Sequence, residues 1–482
     1  MTIKDLTPSI VWDNFYRISR IPRPSKHEEK IRQYLLDWAA ENGVEAFTDK
    51  TGNVIMRVPA TPGYENCKGV ILQGHMDMVP QKNSDKVHDF LTDPIETKVE
   101  GDWLKACGTT LGADNGLGLA LALAVAQSKD VEHGPIEILA TYDEETGMTG
   151  AQALEPGILK GDILINLDSE SEGELYVGCA GGIDASATGK YELQAKPEGW
   201  HALCVKVKGC QGGHSGMDIV LYRANANKAA ARILLALSHK TDCLLVDVEG
   251  GTLRNAIPRE CFATIYVKDK DAAVKVLDEE AAVLAKEYAQ TDPDFAVLVE
   301  DCGCSKPCAG AADSRRILNA IIACPDGVER MSASIHGLVE TSNNMAMVKV
   351  ADGEFFVKSL LRSSVDTAKQ ALCDKMQAVF ELAGAEIVFV GGYSGWAPNP
   401  ESDILKVMKE VYLRLYGKEP KVMAIHAGLE CGILSGAYPH WDMISCGPTL
   451  LSPHSPDERA YIPSVAKVWD YLKEVLKSIP AK

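Results

Sequence analysis

Four short aliphatic runs punctuate the chain: "GVILQG" (69–74), "GPIEILATY" (134–142), "GDILINL" (161–167) and "WDMISCG" (441–447). Each is of strand length, and their nearly unbroken apolar character predicts strands buried on both faces, as in a parallel sheet. Between the first two, "GLGLALALAVAQ" predicts an Ala/Leu-rich buried helix. Upstream, "KHEEKIRQYLLDWAAENG" (26–43) predicts an amphipathic helix, with Ile31, Tyr34, Leu35 and Trp38 on one face and Gly43 as its stop. The alternation of strand and helix predicts an α/β domain with a largely parallel central sheet.

The pattern changes after "CAGGIDASATGKYEL". Amphipathic segments such as "HALCVKVKGC", "NANKAAARILLALS", "ECFATIYVKD", "GEFFVKSLLRSS" and "TAKQALCDKMQAVFELAG" predict an α+β domain, with a β-α-β pattern that occurs twice, as two similar halves would give. A helix at "DILKVMKEVYLRLYG" and the last aliphatic run return to the first pattern. The expected organisation is a first domain in two segments, 1–186 and 396–482, with 187–395 inserted between them. No short-period repeat or low-complexity linker interrupts it.

Size and charge narrow the function classes. A chain of 482 residues exceeds one ordinary core. Its 49 basic and 67 acidic residues leave a net charge of −18, which repels phosphate backbones and argues against a nucleic-acid partner. No run reaches the roughly 18 apolar residues of a membrane span, and the N-terminus has no signal-peptide pattern, so a cytoplasmic protein without a membrane partner is expected. Fourteen cysteines are scattered without a framework. The one dense cluster, Cys302, Cys304 and Cys308, fits no zinc module and is expected to be a reduced loop.

Candidate chemistry lies where the predicted strands end. In an open parallel sheet, ligands bind beyond the carboxyl ends of the strands. There stand His75 and Asp77, then Asp143, Glu144 and Glu145, then Asp168, and finally His454; Asp114 precedes a helix. Singly, each is a weak signal that reads first as a cap or a solvated loop residue. Together they gather like charges that repel unless a cation holds them. Two histidines with several carboxylates suit Zn²⁺, with Mn²⁺ and Co²⁺ as alternatives.

These residues sit in "GHMDMVP", "GTTLGADNGLGLALALA", "YDEETGMTGA", "INLDSE" and "SPHSPDE", which in order and spacing resemble the M20 family of dinuclear zinc peptidases. Within it, the resemblance is to the bacterial aminoacyl-histidine dipeptidase (Xaa-His, carnosinase-like) branch, and it runs over essentially the whole chain, including "ISRIPRPSKHEEKIRQYL". It implies an α/β zinc-peptidase catalytic domain with an inserted α+β lid domain, acting on small dipeptides such as β-Ala-His. It implies two Zn²⁺ bridged by Asp114, one held also by His75 and Asp168, the other by Glu145 and His454. Asp77 is then the acid that orients the His75 ring, Glu144 the general base, and Asp114–Asn115 a cis peptide. "GCQGGHSGMD" implies His214 as an oxyanion donor. Asn255, Arg362 and the "HAGLECG" residues His426, Gly428 and Glu430 are implied to bind substrate, Arg362 through the substrate's C-terminal carboxylate, with a structural salt bridge as the alternative for Arg362. Lid sheets of the family mediate homodimers; a lid of this size replaces that contact within one chain as an alternative.

Two other readings stay open. A related deacylase acting on N-acyl amino acids would share the same site chemistry. A non-catalytic binding protein would be expected to have lost ligands, and none is missing here.

Overall fold

The computed structural model describes residues 2–482, and the chain forms two compact units. The first holds the residues up to Gly178, Trp396–Ala424 and Leu429–Lys482; the second holds Cys179–Gly395 and Ile425–Gly428. The boundary expected after residue 186 falls inside the strand Gly181–Lys190, which pairs along its length with Glu354–Ser363. A strand so paired belongs wholly to the second unit, so the chain changes unit before it, after Gly178.

The first unit is built on an eight-stranded sheet. Its centre is parallel: Ile136–Thr141, Val70–His75, Ile163–Asn166 and Asp442–Ser445 lie side by side in that order. Glu45–Thr48 and Val54–Val58 add an antiparallel flank. All residues of Val70–His75 and Ile136–Thr141 are buried, which is why these strands read as aliphatic runs rather than alternating ones. The helix Ala113–Gln127 is buried from Ala113 to Val125, as its apolar circumference requires. The amphipathic helix runs over Glu29–Glu41, buries Ile31, Leu35 and Trp38, and ends before Gly43, whose φ of +69° is in the left-handed region. Gly74 and Gly118 let strand and helix approach closely: a Cβ on either would collide with the Asn115 side chain between them.

The second unit is a nine-stranded antiparallel sheet. One half runs His201–Lys208, helix Ala226–Lys240, Cys243–Gly250, Cys261–Val267, helix Lys270–Glu287 and Ala296–Asp301. The other runs Gly181–Lys190, helix Ala311–Ala323, Val339–Ala351, Glu354–Ser363, helix Asp366–Leu382 and Ala385–Tyr393. Each is a β-α-β-β-α-β unit with its first strand between its third and fourth. The halves join where Cys243–Gly250 pairs with Val339–Ala351, and the first half is inserted after the first strand of the second. Cys302 and Cys304 pack on a small apolar cluster of Ala202, Leu244, Val246, Tyr266 and Cys308.

One acid in this unit carries a stability cost. Asp326 Oδ1 accepts hydrogen bonds from Asn225 Nδ2 at 3.0 Å and the Met345 N–H at 2.9 Å. Burial pushes its carboxyl up to about 6, against the opposing pull of Lys228 and these bonds. The folded protein therefore keeps a proton that the unfolded chain releases at lower pH. The group's contribution is complete below about pH 4 and is lost as the pH rises through about 6. Asp326→Asn keeps an oxygen for both donors; denaturant melts are expected to show about 1–2 kcal/mol of added stability at pH 7.5 and almost none at pH 4.

Candidate metal centre

His75 is the last residue of its strand, and Glu144, Glu145 and Asp168 follow the ends of the two strands beside it. Asp114 stands in the first turn of the buried helix, and its peptide bond to Asn115 is cis. His454 comes from the loop after Leu450–Leu451. The first unit brings these side chains together.

Two nests result. His75 Nε2 lies 3.0 Å from Asp114 Oδ1 and 3.4 Å from Asp168 Oδ1. His454 Nε2 lies 3.1 Å from Asp114 Oδ2 and 3.0 Å from Glu145 Oε2. Each nest thus sets one imidazole nitrogen against two carboxylate oxygens, and Asp114 gives one oxygen to each. On the far side of the His75 ring, Nδ1 donates to Asp77 Oδ1 at 3.2 Å. A neutral His75 then aims the lone pair of Nε2 at two anionic oxygens, which only a cation in the nest reconciles. Among the described residues no donor reaches the buried Glu145 Oε1, Asp168 Oδ1 has only the long His75 contact, and ligand atoms of His75, Asp114 and Glu145 lie within 4.8 Å of one another. This nitrogen and oxygen donor set fits two divalent cations of the zinc type.

The proton affinities show the same demand for positive charge. Burial opposes a proton on His75, but Asp168, Asp114 and Asp77 outweigh it and raise its pKa well above the ordinary value. Hydrogen bonds to Asp114 and Glu145 push His454 up to about 11. Burial would raise Asp114, yet the two histidines hold it below the usual carboxylate range. Burial raises Asp168 against the pull of His75. Burial also lifts Glu144 well above the carboxylate range against His75, helped by Asp168, Glu430 and Glu145. A metal cation entering the nests would displace the histidine protons.

Three further side chains fix this arrangement. Asp77 accepts the Glu144 N–H on Oδ1 at 3.0 Å, and the Glu145 N–H at 3.2 Å and Ser25 Oγ at 2.8 Å on Oδ2. It therefore ties the His75 ring to the turn that carries both glutamates. Glu458 spreads its carboxylate under the start of the buried helix, accepting the N–H groups of Leu111, Gly112, Ala113 and Asp114 at 2.6 to 3.3 Å. Four successive backbone donors, two before the helix and two in its first turn, are satisfied at once at its positive end, which holds Asp114 in place. Arg23, 1% exposed, donates to the carbonyls of Met76, Asp77 and Gly112, joining the His75 segment to the Asp114 turn. Sequence reasoning assigned no role to Arg23 or Glu458, although "IPRPS" and "SPHSPDE" contain them.

Glu430, implied to bind substrate, is instead enclosed within the first unit. It is 1% exposed, and its Oε2 accepts Gln73 Nε2 at 2.6 Å and Thr141 Oγ1 at 2.7 Å. The other implied substrate residues lie in the second unit. His214 Nδ1 accepts the N–H groups of Gly216 and Met217 at 3.2 and 3.0 Å, so the proton of the neutral ring sits on Nε2. Burial, with Arg362 adding to it, lowers the pKa of His214 and keeps the ring neutral. Arg362 is 5% exposed, and its guanidinium donates to Ser215 Oγ at 3.3 and 3.4 Å. Among the described residues no acid pairs with it, so the alternative of a structural salt bridge falls away. Ser342, opposite Arg362 across the sheet, meets His426 Nε2 at 2.7 Å. Asn255 is exposed and its carbonyl accepts the Ser215 N–H at 2.9 Å; Gly428 is half-buried.

The chain is similar to known proteins over its whole length. It is 45% identical over 482 residues to the cytosol non-specific dipeptidase of Escherichia coli K12, covering 100% of this chain and 99% of the relative. The solved aminoacylhistidine dipeptidase of Vibrio alginolyticus matches with a TM-score of 0.97 and 46% identity, covering 100% of this chain and 99% of that one. The fold alone is shared with the aminopeptidase PepT of Bacillus cereus, at a TM-score of 0.58 and 17% identity over 98% of this chain and 99% of that one. Residues 71–478, which hold both nests, match the model of peptidase family M20/M25/M40, and the chain belongs to that family.

Proposed function

We propose that this protein is a cytosolic dipeptidase that works with two divalent cations and includes Xaa-His dipeptides among its substrates. The observation that carries the reading is the pair of nests sharing Asp114, one oxygen each. His75, Asp114 and Asp168 would hold one cation, and His454, Asp114 and Glu145 the other; Zn²⁺ suits this set, with Co²⁺ or Mn²⁺ as substitutes. Bound there, the pair supplies Lewis acidity towards a peptide carbonyl and makes water more acidic.

The side chains supply the rest. Among the described residues no protein group hydrogen-bonds to the Glu144 carboxylate, so it is free to accept a proton from the attacking water. Its raised proton affinity suits it to hold that proton and pass it to the departing nitrogen near neutral pH. His214 offers an Nε2–H to an oxyanion. Arg362 offers a buried, acid-free cation to the free carboxylate of a dipeptide, and Asn255, His426 and Gly428 complete the substrate contacts. The two dipeptidases of similar sequence support the substrate class.

The test is the metal-loaded enzyme on a panel of dipeptides, β-Ala-His included, beside N-acetyl amino acids. Dipeptide hydrolysis that a chelator abolishes and Zn²⁺ restores is expected. A clear preference for N-acetyl amino acids would instead make it a deacylase. Arg362→Ala is expected to raise KM for dipeptides about 10- to 100-fold and to leave their C-terminal amides nearly unchanged; equal effects on both would remove its role.

A further inference from the structure

Beneath the nests, a line of buried polar side chains crosses the parallel strands. Glu430 Oε2 accepts Gln73 Nε2 at 2.6 Å. Gln73 Oε1 accepts Asn166 Nδ2 at 2.5 Å, Asn166 Oδ1 accepts the Ser445 hydroxyl, and Ser445 Oγ meets Ser169 Oγ at 2.6 Å. Gln73, Asn166 and Ser445 come from three adjacent strands, and each is at most 1% exposed. Polar groups this deep in an otherwise aliphatic sheet are costly unless every one is paired.

The line has a direction. Glu430 Oε2 accepts from both Gln73 Nε2 and Thr141 Oγ1, so Gln73 turns its amide nitrogen to Glu430 and its oxygen to Asn166. Asn166 must then offer its nitrogen to Gln73 and its oxygen to Ser445, and Ser445, having donated, accepts from Ser169. One buried carboxyl oxygen that accepts thus orients every dipole up to the residue after Asp168. Gln73 lies two residues before His75 on the same strand, and Asn166 two before Asp168.

We propose that Glu430 is a positioning residue: through Gln73 and Asn166 it fixes the separation of His75 and Asp168, and so the affinity of the nest they form for its cation. This rests on the reading of that nest as a metal site. The group acts from behind the site and touches no substrate.

Reversing the line tests it. Asn166→Asp sets an acceptor against Gln73 Oε1; if the amide flips, its oxygen then faces the Glu430 carboxylate. Glu430→Gln added to it gives a complete line again, with the two links through Gln73 reversed, Ser445 still donating to position 166, and the carboxyl group moved to that position. Zn²⁺ stoichiometry and affinity are measured by competition with a chromophoric chelator, with thermal unfolding alongside. Asn166→Asp is expected to weaken one of two sites at least tenfold, and the double variant to return within about threefold of wild type. Wild-type affinity in the single variant, or a double variant no better than the worse single, would overturn the proposal. Should Asn166→Asp not fold, Ser445→Ala serves in its place, with a smaller weakening of the same single site expected and none counting against it. If the wild-type protein binds no metal, the reading of the nests fails instead.

Discussion

Glu144→Gln is expected to lower kcat by about 10²- to 10⁴-fold while the protein keeps its full metal content. Glutamine fills the same volume but cannot take a proton from water. Glu144 belongs to neither nest, and the turn that bears it is fixed by its backbone N–H on Asp77, which the substitution leaves in place. Loss of turnover should therefore come with nearly unchanged KM and metal stoichiometry, read by steady-state kinetics and elemental analysis. Hydrolysis at the wild-type rate would take the role of base away from Glu144.

Asp114→Asn should have an effect at least as large, and of a different kind. Asp114 gives one oxygen to each nest, and in asparagine one of these becomes an NH₂ group that cannot ligate and repels a cation. Either orientation of the amide leaves one nest broken, so bound metal should fall from two ions to one or fewer. The accompanying loss in kcat/KM should be about 10³-fold or more, since several kcal/mol of transition-state stabilisation go with the missing ion. Asp168→Ala and His454→Ala should each also cost one ion, but from opposite nests. Two tightly bound ions in Asp114→Asn would show that it is not the shared ligand.

Much of this was legible along the chain because it is local. The aliphatic runs gave the parallel strands, and His75 and Asp168 follow directly from where those runs stop. The supports were not legible, because their partners are remote. Glu458 acts on N–H groups some 345 positions away in sequence, and Arg23 on carbonyls at 76, 77 and 112. No periodicity encodes such pairings. The place of Glu430 is hidden for a related reason: its partners, Gln73 and Thr141, are polar exceptions inside strands that read as nearly unbroken apolar runs. The unit boundary lies earlier than the pattern suggests because "GGIDASATGK" is rich in small residues and carries no strong apolar alternation, although it is an interior strand of the second sheet.

That strand also sets a timetable for the nascent chain. Both neighbours of Gly181–Lys190, Glu354–Ser363 and Ala385–Tyr393, are synthesised long after it. The inserted half, ending at Asp301, carries all four of its own strands and can close before either neighbour has left the ribosome. Until then Gly181–Lys190 waits with open edges on both sides. Its small side chains, and the polar Asp184, Ser186 and Thr188 among them, make it a poor template for other chains during that interval.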